Sequence, residues 1–252
     1  MEIDLPAVET RRVPPHAALP QRADNQSLMF GVMGLAGASL FLCGDLLLYG
    51  HAGDGASFVR RLPEVAARAS LGRLYAGGAL GPIGAALLAA GFWHVHLEVR
   101  SSWPRASRAM FAGFAVLMAG AGAFHALWTA YLLALRFAAS TPSVLDPLLV
   151  AIRSYMSTLF AVSGLPGYAA SVVLLVAVLS GRTRYPRWVA PINPGLLSLA
   201  SGVTLLAPAP WGALVRGGFL SLTLILFFAV SLVLTRPRRR AKWIEDNVPG
   251  VA

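Results

Sequence analysis

Residues 31–50 read GVMGLAGASLFLCGDLLLYG, a largely apolar stretch that contains one carboxylate, Asp45. The apolar run begins at about Ser27, so it exceeds the roughly 18 residues that indicate a membrane-spanning helix. A charge at the bilayer centre costs about 2.5–3.5 kcal/mol on insertion scales, and less near the interface. The stretch therefore predicts a spanning helix that carries an ionisable group, and intramembrane groups of this kind are often functional.

The composition of the chain is typical of a protein that resides in lipid. Of its 252 residues, 56% are hydrophobic and 13% are charged, against about 25% charged residues in soluble domains. The net charge of +10 does not indicate a nucleic-acid partner, because the basic residues occupy loops and tails between the apolar runs. Cys43 is the only cysteine, which excludes an internal disulfide and a cysteine-rich metal site.

Six apolar runs predict an all-α fold, a polytopic transmembrane helix bundle with six spans. Prolines fall within several runs, which membrane helices tolerate because neighbouring groups satisfy the freed carbonyls. Residues 1–26 are interpreted as a disordered cytoplasmic tail, 27–235 as the transmembrane domain and 236–252 as a basic cytoplasmic tail. The predicted spans are about 28–50, 74–97, 109–134, 155–180 (with a possible upstream extension from Asp146), 187–206 and 217–235.

Arginine and lysine residues predict the orientation of these spans. With the N-terminus inside, the cytoplasmic segments hold 14 of the basic residues and the outer segments hold 7. Positive charge accumulates on the cytoplasmic side of membrane proteins. Both termini are therefore predicted to lie in the cytoplasm, with the domain in a bacterial cytoplasmic membrane.

The helical rise of 1.5 Å per residue places the polar side chains in two layers. Asp45 lies about 25 Å into an outward-running span, and His125 reaches about the same level, so the two are predicted to meet near the outer boundary. His94, Glu98 and Asn193 form an inner layer. The outer level also includes Tyr49, Arg73, Arg153 and Arg216 at nearby helix ends.

Small residues recur along the first two spans. Gly31, Gly34, Ala38 and Asp45 follow one another at steps of three, four and seven residues. Small residues let helices approach closely, so this stripe is predicted to face the bundle, and such stripes also make a homo-oligomer possible. The second span repeats the pattern with Gly77, Gly81, Gly84, Gly91, His94 and Glu98.

The outer pair, Asp45 and His125, admits several interpretations. Asp45 is a candidate proton carrier, ligand anchor or catalytic carboxylate, but an ion pair or surface solvation would also account for it. With His125 it could form a proton-sharing pair or two-thirds of a metal site. A zinc site needs three or four ligands, and His51 is the only nearby candidate. Neither a metal nor a cofactor is predicted.

The inner polar residues favour structural roles. His94 and Glu98 are one helical turn apart and could hydrogen-bond at an interfacial helix end. Asn193, in the sequence PINPG, is interpreted as tying together a backbone that prolines have loosened.

Four stretches of the sequence, taken in the order in which they occur along the chain, resemble an uncharacterised family of bacterial polytopic membrane proteins. Members of this family have about six helices, and a Gly-Asp motif closes the first span. The residues 206–228 are similar to the last hairpin of that family, except that Ser221 departs slightly from its pattern. The resemblance implies an integral membrane protein without an assigned activity, and it transfers no catalytic residues. The four stretches are GDLLLYG (44–50), GGALGPIGAALLAAGFWHVHL (77–97), GAFHALW (122–128) and RYPRWVAPINPGLLSL (184–199).

The leading functional hypothesis is a non-enzymatic membrane protein that binds or passes a small anionic or lipid-like ligand. Its predicted partners are membrane lipids and the small ligand, which would enter an outward-facing pocket near Asp45, Tyr49 and His125. One alternative is an intramembrane lipid hydrolase, in which Asp45 and His125 act as general base or metal ligands. A second alternative is a scaffold subunit of a membrane complex. The three arginines that would rim the pocket are Arg73, Arg153 and Arg216.

Overall fold

The structure, a computed structural model, describes residues 19–138 and 142–235. In these residues the regular secondary structure is entirely helical, without strands. The α-helices are α1 (Leu19–Tyr49), α2 (Leu62–Arg68), α3 (Leu71–Val99), α4 (Pro104–Ala138), α5 (Pro142–Leu179), α6 (Pro194–Leu199) and α7 (Gly212–Leu234), and short 3₁₀ helices cover Gly55–Ser57, Arg187–Ile192 and Ala200–Leu206.

Five of these helices are long and apolar enough to cross a membrane: α1 from Asn25, α3, α4, α5 from Asp146, and α7. The all-α class and the presence of several candidate spans are thereby confirmed. The predicted number of six is not, because residues 187–206 form no single long helix. We call residues 187–206 the broken segment.

Prolines and one asparagine explain why the broken segment is not a continuous helix. Pro191 and Pro194 cannot donate backbone hydrogen bonds, and a proline in a helix interior also clashes with the preceding turn. Asn193 has non-helical backbone angles, and its side-chain oxygen accepts bonds from the amides of Gly195 and Leu196 at 3.0 and 3.3 Å. It therefore starts α6 as an N-cap.

The broken segment nevertheless joins the two ends of the bundle. Before it, the Tyr185 hydroxyl contacts Ser231 near the end of α7. After it, the Ala207 carbonyl accepts a bond from the Gly55 amide, close to the start of α7. The chain thus passes from one end of the bundle to the other between Tyr185 and Ala207 without a long helix.

The first and last long helices share one end of the bundle. Ser27 of α1 and Ser231 of α7 both contact the ring of His94. The beginning of α1 therefore lies beside the end of α7.

Helix α1 begins at Leu19, upstream of the predicted start at residue 28. Pro20 is compatible with this start, because its missing N–H costs nothing in a first turn. Residues 19–26 are therefore helical and not a disordered tail, whereas residues 1–18 and the tail at 236–252 lie outside the described residues. Helices α3 and α4 extend a few residues beyond the predicted spans at both ends, α7 begins five residues earlier than predicted, and α5 begins at Pro142, upstream of the possible extension from Asp146.

The closest helix contact joins α1 and α3 through the glycine stripes. A methyl group at Gly91 would overlap the backbone of Gly34, and one at Gly37, next to the α1 stripe, would lie 2.7 Å from the Gly84 carbonyl oxygen. The stripes of α1 and α3 face each other within one chain, in agreement with the predicted bundle-facing position. The glycines of both stripes are therefore covered by neighbouring helices.

The remaining packing leaves a gap on one side of the bundle. Helix α4 packs on α3 and α5, and α7 packs on α1, whereas α5 and α7 are joined mainly through the broken segment. Phe92 stacks on Phe114 at 4.0 Å and meets Phe228 edge-on at 5.4 Å, which forms the aromatic centre of the core. The gap between α5 and α7 lies against this centre.

Candidate functional site

A buried polar cluster surrounds Asp45 where α1, α3, α4 and α7 meet. The Asp45 residue is 4% exposed. The Tyr49 hydroxyl, one turn later on α1, donates to its Oδ1 atom, and the Ser221 hydroxyl of α7 donates to Oδ2 at 2.5 Å. His125 of α4 places Nδ1 3.5 Å from Oδ1. Three helices therefore supply polar groups to one carboxylate.

The imidazole of His125 is held in a fixed orientation. Its Nε2 atom lies 3.2 Å from the Gly77 carbonyl oxygen of α3, and the ring packs edge-on against Phe41 at 4.7 Å. Gly81 faces the ring, and a methyl group there would overlap it. Because a carbonyl can only accept, Nε2 carries a proton and Nδ1 faces Asp45.

The structure thus brings together Asp45, Tyr49 and His125. It adds Ser221, which stands out in the sequence only as a departure from a family pattern. A small hydroxyl residue within an apolar run was the available signal, because such residues often hydrogen-bond across membrane helices.

The arginines do not rim a pocket over Asp45, in contrast to the prediction. Arg73 donates to the carbonyl oxygens of Leu47, Gly50 and Leu46 at 2.6, 2.9 and 3.3 Å. It therefore caps the end of α1, where the last carbonyls lack helical partners.

Arg153 and Arg216 lie in separate recesses. Arg153 is exposed beside Trp128, Tyr131 and Met156 in a groove of about 240 Å³. Arg216 lines a recess of about 270 Å³ with Phe58, Val59, Ser201, Gly202 and Thr204. Neither is lined by Asp45 or His125.

A cavity of about 450 Å³ occupies the gap between α5 and α7. Phe92 and Phe114 line it on the side of the core, and Arg216 is the first lining residue along α7, so it marks the end of the cavity nearest the start of that helix. Leu199 is 70% exposed while also lining it, so the cavity opens at the surface of the bundle beside the broken segment. Further lining residues include Leu117, Met118, Phe160, Tyr168, Ser198 and Leu224.

Arg216 is the only charged residue in the lining of this cavity. It is partly buried, and it forms no hydrogen bond or ion pair with residues 19–138 or 142–235. A guanidinium carries five donors and is always charged. The arrangement therefore leaves a cation without an anion at the end of an apolar cavity.

The inner layer forms a hydrogen-bond network that fastens four parts of the chain. His94 Nδ1 donates to the Ser27 carbonyl at 2.9 Å, and the Ser27 hydroxyl donates to Glu98 Oε1 at 2.7 Å. Glu98 Oε2 accepts from Arg184 at 2.9 Å. The predicted direct bond between His94 and Glu98 is replaced by this route through Ser27.

The same network continues on the other side of the His94 ring. The Ser231 hydroxyl donates to His94 Nε2 at 2.8 Å, and the Tyr185 hydroxyl lies 2.7 Å from Ser231 Oγ. Because the Ser231 hydroxyl uses its single proton toward His94, the Tyr185 hydroxyl is the donor to Ser231. Burial raises the pKa of Tyr185 well above its usual value, so the hydroxyl keeps this proton. We call these six residues the inner network: Ser27, His94, Glu98, Arg184, Tyr185 and Ser231.

Asn193 is separate from this network. Its side-chain amide donates to the Ser171 carbonyl of α5 at 2.9 Å, in addition to capping α6. It thereby anchors the broken segment to α5.

The donor set of the Asp45 cluster does not extend to a metal site. In the described residues, no group of three or more histidine, cysteine, aspartate or glutamate side chains is placed to hold a metal ion. His51, the third ligand considered, instead contacts the Tyr49 carbonyl through Nδ1 at 3.0 Å.

Fold and cavity together define a class: an all-α protein with helices able to span a membrane and an apolar cavity among them. Residues 23–236 match a protein family described only as a family of unknown function, DUF6796, and the chain belongs to that family. No curated protein and no solved structure matches the chain.

Proposed function

We propose that this protein resides in a membrane and binds one amphiphile, a lipid or lipid-like anion, in the cavity between α5 and α7. Arg216 carries this proposal, because it is a partly buried cation without a partner among the described residues. Near a membrane surface, a guanidinium is well suited to bind a phosphate or carboxylate headgroup, because its planar donors match those groups. An anionic headgroup at Arg216 would gain charge-assisted hydrogen bonds there.

The shape of the cavity suits the apolar part of such a ligand. From Arg216 to Leu224, both in the lining, α7 rises about 12 Å. The volume of about 450 Å³ lies within the usual range of roughly 300–1,000 Å³ for ligand pockets. An acyl chain could lie along α7 against Phe114 while its headgroup stays near Arg216.

Lipid retention tests this proposal. The protein is purified in mild detergent, delipidated and titrated with phosphatidylglycerol, and bound lipid is counted by native mass spectrometry. Arg216→Gln is expected to weaken binding at least 10-fold, because hydrogen bonds to charged groups contribute about 1.5–3 kcal/mol. Gly164→Leu, which adds a side chain to the cavity lining, is expected to weaken binding with Arg216 intact.

Arg68→Gln is the matched control for this titration. Arg68 is an exposed arginine on α2 and lines none of the three described cavities. Equal lipid binding by the Arg216 and Arg68 variants would overturn the proposal.

The topology that accompanies this function has six passes, the fifth made by the broken segment, in a bacterial cytoplasmic membrane. It is supported by the shared end of α1 and α7 and by the excess of arginine and lysine on one set of loops. Both termini would then lie in the cytoplasm, and Arg216 would lie near the outer surface.

Reporter fusions test this topology. Alkaline phosphatase fused after residue 252 or after residue 180 should be inactive, and a fusion after residue 208 should be active, because the enzyme works only outside the cytoplasm. An active fusion after residue 252 would show that the chain crosses an odd number of times.

A further inference from the structure

The Asp45 cluster is distinct from the lipid cavity, because neither Asp45 nor His125 lines that cavity. We infer that Asp45 and His125 together form a proton-binding site, which holds one proton between the carboxylate and the imidazole at neutral pH. The inference does not depend on lipid binding.

Counting hydrogen-bond donors shows why a proton is required. Nε2 of His125 carries a proton because it faces the Gly77 carbonyl. In a neutral ring Nδ1 is then a bare acceptor, and it faces Asp45 Oδ1 at 3.5 Å. Without a further proton, a nitrogen lone pair would oppose a carboxylate oxygen. One proton, on either partner, makes the two groups complementary.

Among the residues that the structure describes, the groups around Asp45 offer no other positive charge. From α1 it meets the Tyr49 hydroxyl, from α7 the Ser221 hydroxyl and from α4 the His125 ring. The α3 helix contributes the Gly77 carbonyl, which is bonded to His125. Within the described residues, no lysine or arginine pairs with this carboxylate.

Net charge then determines how many protons the site holds. With one proton the pair is neutral overall, as a carboxylate with an imidazolium or as a carboxylic acid with a neutral ring. With none, a negative charge would remain uncompensated among buried groups, and with two the imidazolium would be uncompensated. Isolated buried charges of either sign are strongly unfavourable.

The site is closed in the structure, because Asp45 is 4% and His125 1% exposed. Proton exchange therefore requires a movement that gives water access to the pair. Since α1, α4 and α7 each contribute a group, a change in protonation would alter the contacts among all three.

Two spectroscopic signals measured on the full chain in nanodiscs test the inference. Infrared spectroscopy detects the carboxylic-acid band of Asp45, identified by its loss in Asp45→Asn. Nitrogen NMR with labelled histidine detects the imidazolium form of His125, identified by its loss in His125→Gln. At neutral pH in the wild-type protein, the fraction of Asp45 in the carboxylic-acid form and the fraction of His125 in the imidazolium form should add up to one. Neither signal, or both at full intensity, would overturn the inference.

The His125→Gln variant makes the test sharper, with His51→Gln as its control. Without the imidazole, the proton must move to the carboxylate, so the acid band of Asp45 should be present at full intensity. His51→Gln should leave both signals as in the wild type, because His51 contacts the Tyr49 carbonyl and not Asp45. An ionised Asp45 in a folded His125→Gln protein would contradict the inference, and a thermal unfolding transition establishes that the variant is folded.

Discussion

Gly91→Ala is expected to destabilise the protein by about 1–3 kcal/mol, the usual cost of inserting a methyl group into a closely packed interior. The new methyl would overlap the Gly34 backbone and lie 3.0 Å from the Phe228 ring. A backbone cannot rotate away as a flexible side chain can. The methyl would therefore force α1 and α3 apart along their closest contact.

Gly72→Ala provides the matched control on the same helix. A methyl group at Gly72 meets no atom within 4 Å, and alanine has a higher helix propensity than glycine. The free energy of unfolding, measured by denaturant titration in mixed micelles, should fall for Gly91→Ala and stay level or rise slightly for Gly72→Ala. Similar values for the two variants would show that α1 and α3 do not meet at Gly34.

Glu98→Ala is the second change with a large expected effect. Removing this carboxylate leaves the Ser27 hydroxyl and the Arg184 guanidinium without their acceptor. Loss of a buried acceptor costs about 1–3 kcal/mol. The cost falls below that of a fully buried ion pair, because the Arg184 side chain is 30% exposed while that of Glu98 is 2% exposed.

Glu64→Ala is the control for Glu98→Ala. Glu64 pairs with Arg61 at 3.4 Å, but the two side chains are 56% and 39% exposed. Exposed pairs contribute about 0–1 kcal/mol. Thermal unfolding in detergent should therefore show a lower midpoint for Glu98→Ala than for Glu64→Ala. Equal midpoints would mean that the inner network does not stabilise the bundle.

The outer pair shows how far depth along a helix can be predicted from a sequence. Helical rise is nearly constant, so counting residues placed Asp45 and His125 at one level, and in the structure they lie 3.5 Å apart. Counting could not identify the targets of long side chains. Arg73 was assigned to the pocket but bonds to carbonyls at the end of α1.

The broken segment and the cavity were beyond prediction for different reasons. Hydropathy counts apolar residues and does not register that Pro191 and Pro194 divide residues 187–206 into short helices. The cavity depends on α5 and α7 being held apart, which is decided by packing between residues distant in sequence. The sequence predicts Arg216 to be an outer cation, but its position beside that cavity, without a partner among the described residues, is visible only in three dimensions.

Cryo-electron microscopy of the protein in nanodiscs that contain anionic lipid tests the central claim most directly. The account predicts elongated density between α5 and α7, with its polar end at the Arg216 guanidinium and its tail against Phe114. A map in which α5 closes onto α7, or in which Arg216 pairs with an acidic side chain of the chain itself, would contradict it.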